Sequence, residues 1–164
     1  MASCTGWGFD AHRFGGDPPV LLAGVVADSS RGLLGTSDAD VVAHAVADAL
    51  LGASALGDLG SLFPSDDPMW EGADSMQLLS TVVQRCISQG FGVSHVDVTV
   101  IAQTIRIAPL REQMRRELAS VLGVDVDAVS VKATSTDGMG FTGRGEGVAA
   151  VAVATGTRSL PSSG

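Results

Sequence analysis

Val96-Asp97-Val98-Thr99-Val100-Ile101-Ala102 sets small or branched apolar residues at every second position. Successive side chains of an extended chain point to opposite sides, so this period reads as a half-buried strand with Val96, Val98, Val100 and Ala102 facing a core. Downstream, Pro109 opens a helix, because a first-turn residue has no N–H bond to lose, and Gly123 closes it. Val129, Val131 and Ala133 alternate in the same way, and Val148 to Ala154 form a last apolar strand. Upstream lie a strand at Thr5–Phe9, an apolar run at Val20–Ala23, a helix from Ser37 to about Ala55, and a second helix from Asp74 or Ser75 to Gly90. Ser37 is the expected N-cap of the first helix, with Asp40 at the capping-box position. Its buried stripe is Val42, Ala45, Val46, Ala49, Leu50 and Ala53, whereas Asp40, His44 and Asp48 recur every fourth residue on a polar, solvated face. The second helix carries Leu78, Leu79, Val82, Val83 and Ile87. Strands alternating with helices give an α/β (α+β) fold: a single domain over residues 1–156, with a mixed sheet and helices packed on one face. Residues 157–164, rich in Ser, Gly and Pro, are expected to be a flexible tail.

The chain has 164 residues, enough for one core. Its formal charge of −8 repels phosphate backbones and acidic membrane surfaces, which argues against a nucleic-acid or membrane partner. The same deficit means that any diphosphate substrate needs bound metal ions to neutralise it. Cys4 and Cys86 lie far apart and match no ligand or redox spacing, so they read as free thiols of a reducing compartment. No leader precedes the first strand and no apolar run is long enough to span a bilayer, so a cytoplasmic protein is expected.

Asp10 and His12 stand two apart at the end of the first strand and therefore project from one face. With His44 they offer three ligands that zinc accepts, leaving a fourth tetrahedral position open. A divalent ion with one carboxylate keeps a net charge of about +1, which suits a diphosphate oxygen. His95, expected at the start of a strand without a ligand partner, reads as structural.

The segments Gly8-Phe9-Asp10-Ala11-His12, Ser37-Asp38-Ala39-Asp40-Val41 with His44, Asp48-Ala49-Leu50-Leu51-Gly52, Leu56-Gly57-Asp58-Leu59-Gly60, and Phe63-Pro64 with Asp66-Asp67-Pro68 occur in a characteristic order. So do Gly72-Ala73-Asp74-Ser75, Lys132-Ala133-Thr134 and Gly143-Arg144-Gly145-Glu146-Gly147. Together they resemble the cyclodiphosphate synthases of the non-mevalonate isoprenoid pathway over nearly the whole chain. The resemblance implies Zn2+ on Asp10, His12 and His44, and Mg2+ or Mn2+ on Asp137, where the family often has Glu. It implies conversion of a cytidyl diphosphate substrate, 4-diphosphocytidyl-2-C-methyl-D-erythritol 2-phosphate, to a cyclic diphosphate and CMP.

By the same resemblance Asp58 and Gly60 hold sugar or methylerythritol hydroxyls, and Phe63 to Asp67 form a lid. Ser37, Leu59, Thr134, Thr136 and Phe141 join the substrate-binding set. Ala102, Arg106, Ile107 and Ala108 belong to the cytosine-binding stretch, which here lacks the usual proline and has Arg for Lys. Thr36 and Ser135 occupy positions that stabilise the transition state, where the family usually has His and Thr. Arg144, also in the substrate-binding set, and Glu146 match positions lining the central cavity of a homotrimer whose active sites lie between subunits. Two further readings remain open: a non-catalytic metal-binding trimer that holds an isoprenyl diphosphate in that cavity, and a metal-dependent phosphohydrolase.

Overall fold

The structure, a computed structural model, describes residues 1–159. Its first strand greatly exceeds the expected one, because it is paired on both edges. β1 (Ala2–Gly16) is flanked by β4 (Gly32–Leu33) on one side and β7 (Gly147–Arg158) on the other. The β1–β7 ladder is antiparallel and unbroken from Ala2↔Arg158 to Arg13↔Gly147. β5 (Phe91–Ile101) pairs antiparallel with the far edge of β7, and β6 (Val129–Thr134) runs parallel to β5. The result is a mixed sheet of order β4-β1-β7-β5-β6, beside a small hairpin of β2 (Val20–Leu22) and β3 (Val25–Asp28). Thr157 and Arg158 thus belong to a strand, paired with Ser3 and Ala2, not to the tail; residues 160–164 lie outside those described.

Helices α1 (Val41–Ser54), α3 (Ser75–Ser88) and α4 (Arg111–Leu122) pack on the sheet, while the short α2 (Leu59–Leu62) and α5 (Gly140–Gly143) sit within loops. The covered face is made by alternate residues: Val148, Ala150, Ala152 and Ala154 of β7, and Val96, Val98 and Val100 of β5, are fully buried. Three sequence expectations shift locally. Pro109 lies in the turn before α4, which starts at Arg111. Cys86, not Ile87, takes the buried position of the last turn of α3. His95 is an exposed residue inside β5 rather than at its start.

The largest correction concerns α1. Its N-cap is Asp40, not Ser37: the carboxylate accepts from Val42 and Ala43 N–H, and also from Ala23 N–H at 2.9 Å and Gly24 N–H at 2.7 Å. Asp40 therefore ties the β2–β3 turn to the helix start and is completely buried, as are Val41, Ala43 and Leu51. The expected solvated stripe does not exist, since α1 lies between the sheet and α3 and is apolar nearly all round. Burial pushes the Asp40 carboxyl up to about 6 against the pull of the surrounding backbone N–H groups.

Two glycines let α1 lie directly on β1. A Cβ on Gly8 would be 2.0 Å from the Ala45 carbonyl oxygen, and one on Gly6 would be 1.9 Å from that of Ala49. Alternation puts Asp10 and His12 on this same face.

Candidate active site

That close approach fixes the distance between the strand and His44, the residue before Ala45. Asp10 and His12 lie within β1, not at its end, and His44 is on the second turn of α1. Asp10 Oδ2 is 3.1 Å from His12 Nε2 and 2.9 Å from His44 Nδ1. One ligand atom from each of the three residues lies within 4.8 Å of the others, so the expected triad is assembled.

The outer ring nitrogens decide which atoms face inward. His12 Nδ1 lies 2.6 Å from the Leu34 carbonyl, which can only accept, so Nδ1 carries a proton and, once a metal displaces the proton shared with Asp10, Nε2 presents its lone pair inward. His44 Nε2 is 2.8 Å from Ser75 Oγ, and the Ser75 hydroxyl bonds onward to Asp38 Oδ1. Ser75 N–H also donates to Asp38 Oδ2 at 3.1 Å. With the hydroxyl proton given to Asp38, Ser75 Oγ accepts from His44 Nε2–H and leaves Nδ1 for the centre. Burial disfavours charge on Asp10, but hydrogen bonds from both histidines outweigh it and hold the carboxyl well below the usual range. Burial likewise disfavours charge on His12, yet Asp10 raises its pKa above the ordinary value of 6.5. Without an ion, the cluster is a proton-bridged acid–imidazole set. With a divalent ion, the same lone pairs converge on it, and the residues present fit a site of the zinc type.

Beside the triad is a cavity of about 200 Å3, reached by His12, His44, Thr36 and Ser37, and by the expected Leu59, Gly60 and Phe63. Trp70 and Leu78, not foreseen, complete its wall; Trp70 meets the Phe63 ring edge-on at 4.8 Å. Thr36 Oγ1 donates to the Ser65 carbonyl at 3.1 Å, joining the loop before α1 to the Phe63–Asp67 segment. Asp58 caps α2, accepting from Ser61 N–H and Oγ at 2.8 and 2.6 Å, and Asp67 caps the turn Pro68–Trp70. Asp48, expected in solvent, is half-buried and accepts from Leu59 N–H at 2.7 Å, fixing where α2 begins. Ser75, Asp38 and Asp48 all sit in family-like segments, but only the fold reveals what each touches.

The remaining expected residues form a second cluster where β5 and β6 end. Ala102 N–H donates to the Thr134 carbonyl, and Gly138 N–H to Gln103 Oε1. Ser135 Oγ lies 3.3 Å from Asp137 Oδ1, in a loop where Asp137 adopts φ +52°. Thr136 Oγ1 donates to the Met139 carbonyl at 2.6 Å. Ala102 and Ile107 are buried, so they offer a ligand backbone groups only, whereas Arg106 and Ala108 are exposed. Phe141 lines a depression with Ala11 and His12, and Arg144 pairs with Glu146 at 2.9 Å on the surface. Among the described residues, no hydrogen bond joins this cluster to the triad.

The sheet face opposite the helices displays apolar side chains that the sequence reading passed over. Trp7 is 63% exposed and Phe9 44%, their rings stacked at 6.2 Å, with Val153 and Val151 beside them in register. No helix among the described residues is long and apolar enough to cross a membrane.

The YgbB family model matches residues 3–157. A protein of Escherichia coli O6:K15:H31 named 2-C-methyl-D-erythritol 2,4-cyclodiphosphate synthase is 53% identical over 128 residues, covering 78% of this chain and 80% of that protein. The same-named protein of Shewanella piezotolerans is 50% identical over an equal span, covering 78% and 80%. Among solved structures, the bifunctional IspDF of Campylobacter jejuni matches with a TM-score of 0.93 at 39% identity, over 96% of this chain. This chain spans 43% of that protein's length. Plasmodium falciparum IspF in complex with CDP gives a TM-score of 0.82 at 25% identity, covering 96% of this chain and 97% of that one. With its fold, its Asp-His-His cluster and its sequence all in agreement, this chain belongs to the YgbB family.

Proposed function

We propose that this protein converts 4-diphosphocytidyl-2-C-methyl-D-erythritol 2-phosphate to 2-C-methyl-D-erythritol 2,4-cyclodiphosphate and CMP, as a cyclising phosphorus–oxygen lyase. The observation that carries the reading is the Asp10-His12-His44 triad, with both imidazole tautomers set, opening on a cavity beside the lid of a YgbB-family fold.

In the reaction, an oxygen of the 2-phosphate attacks the β-phosphorus, and the bond from that phosphorus to the bridging oxygen breaks. The bridging oxygen leaves with the α-phosphate as CMP. Atoms and charge balance without a protein nucleophile, so the chain's task is to position and to neutralise. Asp10, His12 and His44 would hold a Zn2+ ion and Asp137 a Mg2+ or Mn2+ ion, which when bound would supply positive charge to the diphosphate. Leu34, Ser75 and Asp38 hold the imidazoles in the ligating tautomers. Thr36 and Ser135 offer hydroxyl groups to the phosphates, while Asp58 and Gly60 face the methylerythritol hydroxyls. Phe63 and Trp70 keep water from the reacting end. Ala102 and Arg106 to Ala108 receive the cytosine; that a relative was solved as a CDP complex supports a cytidine nucleotide as the ligand.

The working unit is a cytoplasmic homotrimer, with the Trp7–Phe9 face between subunits and Arg144 and Glu146 toward the central cavity. The exposed apolar patch supports that assembly. Phosphorus NMR of the metal-loaded protein with substrate is expected to show cyclic diphosphate and CMP, and His12→Ala to show neither. A linear phosphate product would establish hydrolysis instead. Metal and ligand binding without turnover would establish a binding protein.

A further inference from the structure

The stretch from Ile105 to Ala108 lies between β5 and α4, and none of its four backbone N–H groups donates a hydrogen bond among the described residues. Those groups are therefore free for a ligand, but no strand or helix ladder sets their positions. The shape of the stretch depends on its ends and on what grips it from outside. Ile105 and Ile107 anchor it in the core, and Ala102 anchors it to Thr134. Of the two exposed residues between Ala102 and Ile105, Gln103 accepts from Gly138 N–H at 3.3 Å, and Thr104 is gripped by a residue far more distant in sequence: Arg31 Nη2 donates to Thr104 Oγ1 at 2.9 Å.

Arg31 is itself immobilised. Its Nε donates to Asp28 Oδ2 at 2.7 Å, and its guanidinium carbon lies 4.1 Å from the centre of the Phe14 ring. Asp28 accepts in turn from Ser30 N–H and Oγ at 2.8 and 2.7 Å. Hydrogen bonds from Ser30 and Arg31 hold the Asp28 carboxyl well below the usual range, so Asp28 stays ionised opposite the guanidinium throughout the neutral range. A planar fork held by a carboxylate, an aromatic face and a hydroxyl has little rotational freedom left. An unclamped arginine on a surface loop would have a great deal.

We infer that Arg31 is a positioning residue for the cytidyl nucleotide: through Thr104 it pre-orders the free backbone N–H groups of 105–108 before the base arrives. The inference rests on the proposed nucleotide pocket and names a residue outside it. Pre-ordering lowers the entropy lost on binding and leaves the phosphate chemistry untouched.

The test titrates CDP into the zinc-loaded full-length protein, its Thr104→Val, Thr104→Ser and Arg31→Gln variants, and the double variant Arg31→Gln/Thr104→Val. Valine matches threonine in shape and lacks the hydroxyl. Thr104→Val is expected to weaken CDP about five- to tenfold, in line with the loss of one solvent-exposed hydrogen bond. The KM for the cytidyl substrate should rise equally, with kcat and zinc affinity unchanged. Thr104→Ser should restore binding, and Arg31→Gln should add little once the hydroxyl is gone. CDP affinity within twofold of the parent in Thr104→Val, or a fall in kcat at unchanged KM, would overturn the role of Arg31 and leave the pocket standing. A parent protein that binds no CDP would overturn the pocket, and this inference with it.

Discussion

Gly8 of β1 lies directly beneath the Ala45 carbonyl of α1, so that a single added methyl group would stand 2.0 Å from that oxygen. Neither partner can yield by turning a side chain, because both are backbone. Gly8→Ala should cost about 3 kcal/mol or more, as overpacking of a rigid contact does. It should also lift His44 away from Asp10. Chemical denaturation and zinc titration check both effects; a stable, zinc-competent variant would show that the helix has room to move.

Ser75 stands between His44 and Asp38. Ser75→Ala removes the acceptor that fixes the His44 tautomer and should weaken zinc about 10–100-fold, the usual cost of losing an outer-shell partner. Competition with a chromogenic chelator measures it. An unchanged affinity would mean that Ser37, at 3.2 Å from the same nitrogen, suffices.

The His12 pKa is raised in the folded, metal-free protein, so its contribution to stability is complete below the ordinary value of 6.5 and is lost as pH rises through the elevated one. Zinc must displace that proton, so its affinity should move the opposite way, weakening about tenfold per pH unit below the raised pKa. Asp10 stays ionised throughout and adds no slope of its own near neutrality. Tm of the metal-free protein should therefore fall slightly from pH 6 to pH 8, while the increment in Tm caused by zinc grows. Parallel slopes would contradict the Asp10–His12 coupling.

Asp48 places α2 by accepting from Leu59 N–H. Asp48→Ala leaves that donor without its acceptor and should raise KM about three- to tenfold with little change in kcat, consistent with one lost hydrogen bond. Asp48→Asn keeps an oxygen at the same place and should stay near the parent. Steady-state kinetics on both variants separate positioning of the lid from a charge effect.

Trp7→Glu sets a carboxylate in the middle of the exposed apolar face. Burying that charge between subunits without a partner is unfavourable, so the proposed homotrimer should dissociate to monomers while zinc binding persists. Analytical ultracentrifugation reads the mass directly; a trimer of unchanged affinity would place the subunit interface elsewhere.

The sequence made the alternation of β5, the limits of α3, the C-terminal end of α1 and the grouping of Asp10, His12 and His44 legible, because each rests on a local period or a short spacing. What it hid was set by packing. Asp40 and Asp48 fall on one polar-looking stripe of α1, yet one is buried under the β2–β3 turn and the other accepts from the first N–H of α2. Asp40 also caps its own helix through Val42 and Ala43 N–H, but its bonds to Ala23 and Gly24, like that of Asp48 to Leu59, reach backbone groups of other segments, which no local signal marks. β1 outgrew its apolar core of Thr5–Phe9 because β7 and β4 pair its polar ends. Trp7 and Phe9 alternate with two glycines, and only the helix lying on those glycines shows which side is covered.

The long β1–β7 ladder has a further meaning for assembly of the site. Gly6, Gly8, Asp10 and His12 share one side of a strand whose pairing advances without a break. A slip of one residue would turn both strand ligands away from His44 and would drive Trp7 and Phe9 into the space the glycines leave for α1. Misregistered chains would therefore have only one of the three ligands in place and no seat for the helix. Capture of a divalent ion by Asp10, His12 and His44 would therefore report correct strand alignment, and such an ion, present during synthesis, would act as a proofreader of the fold.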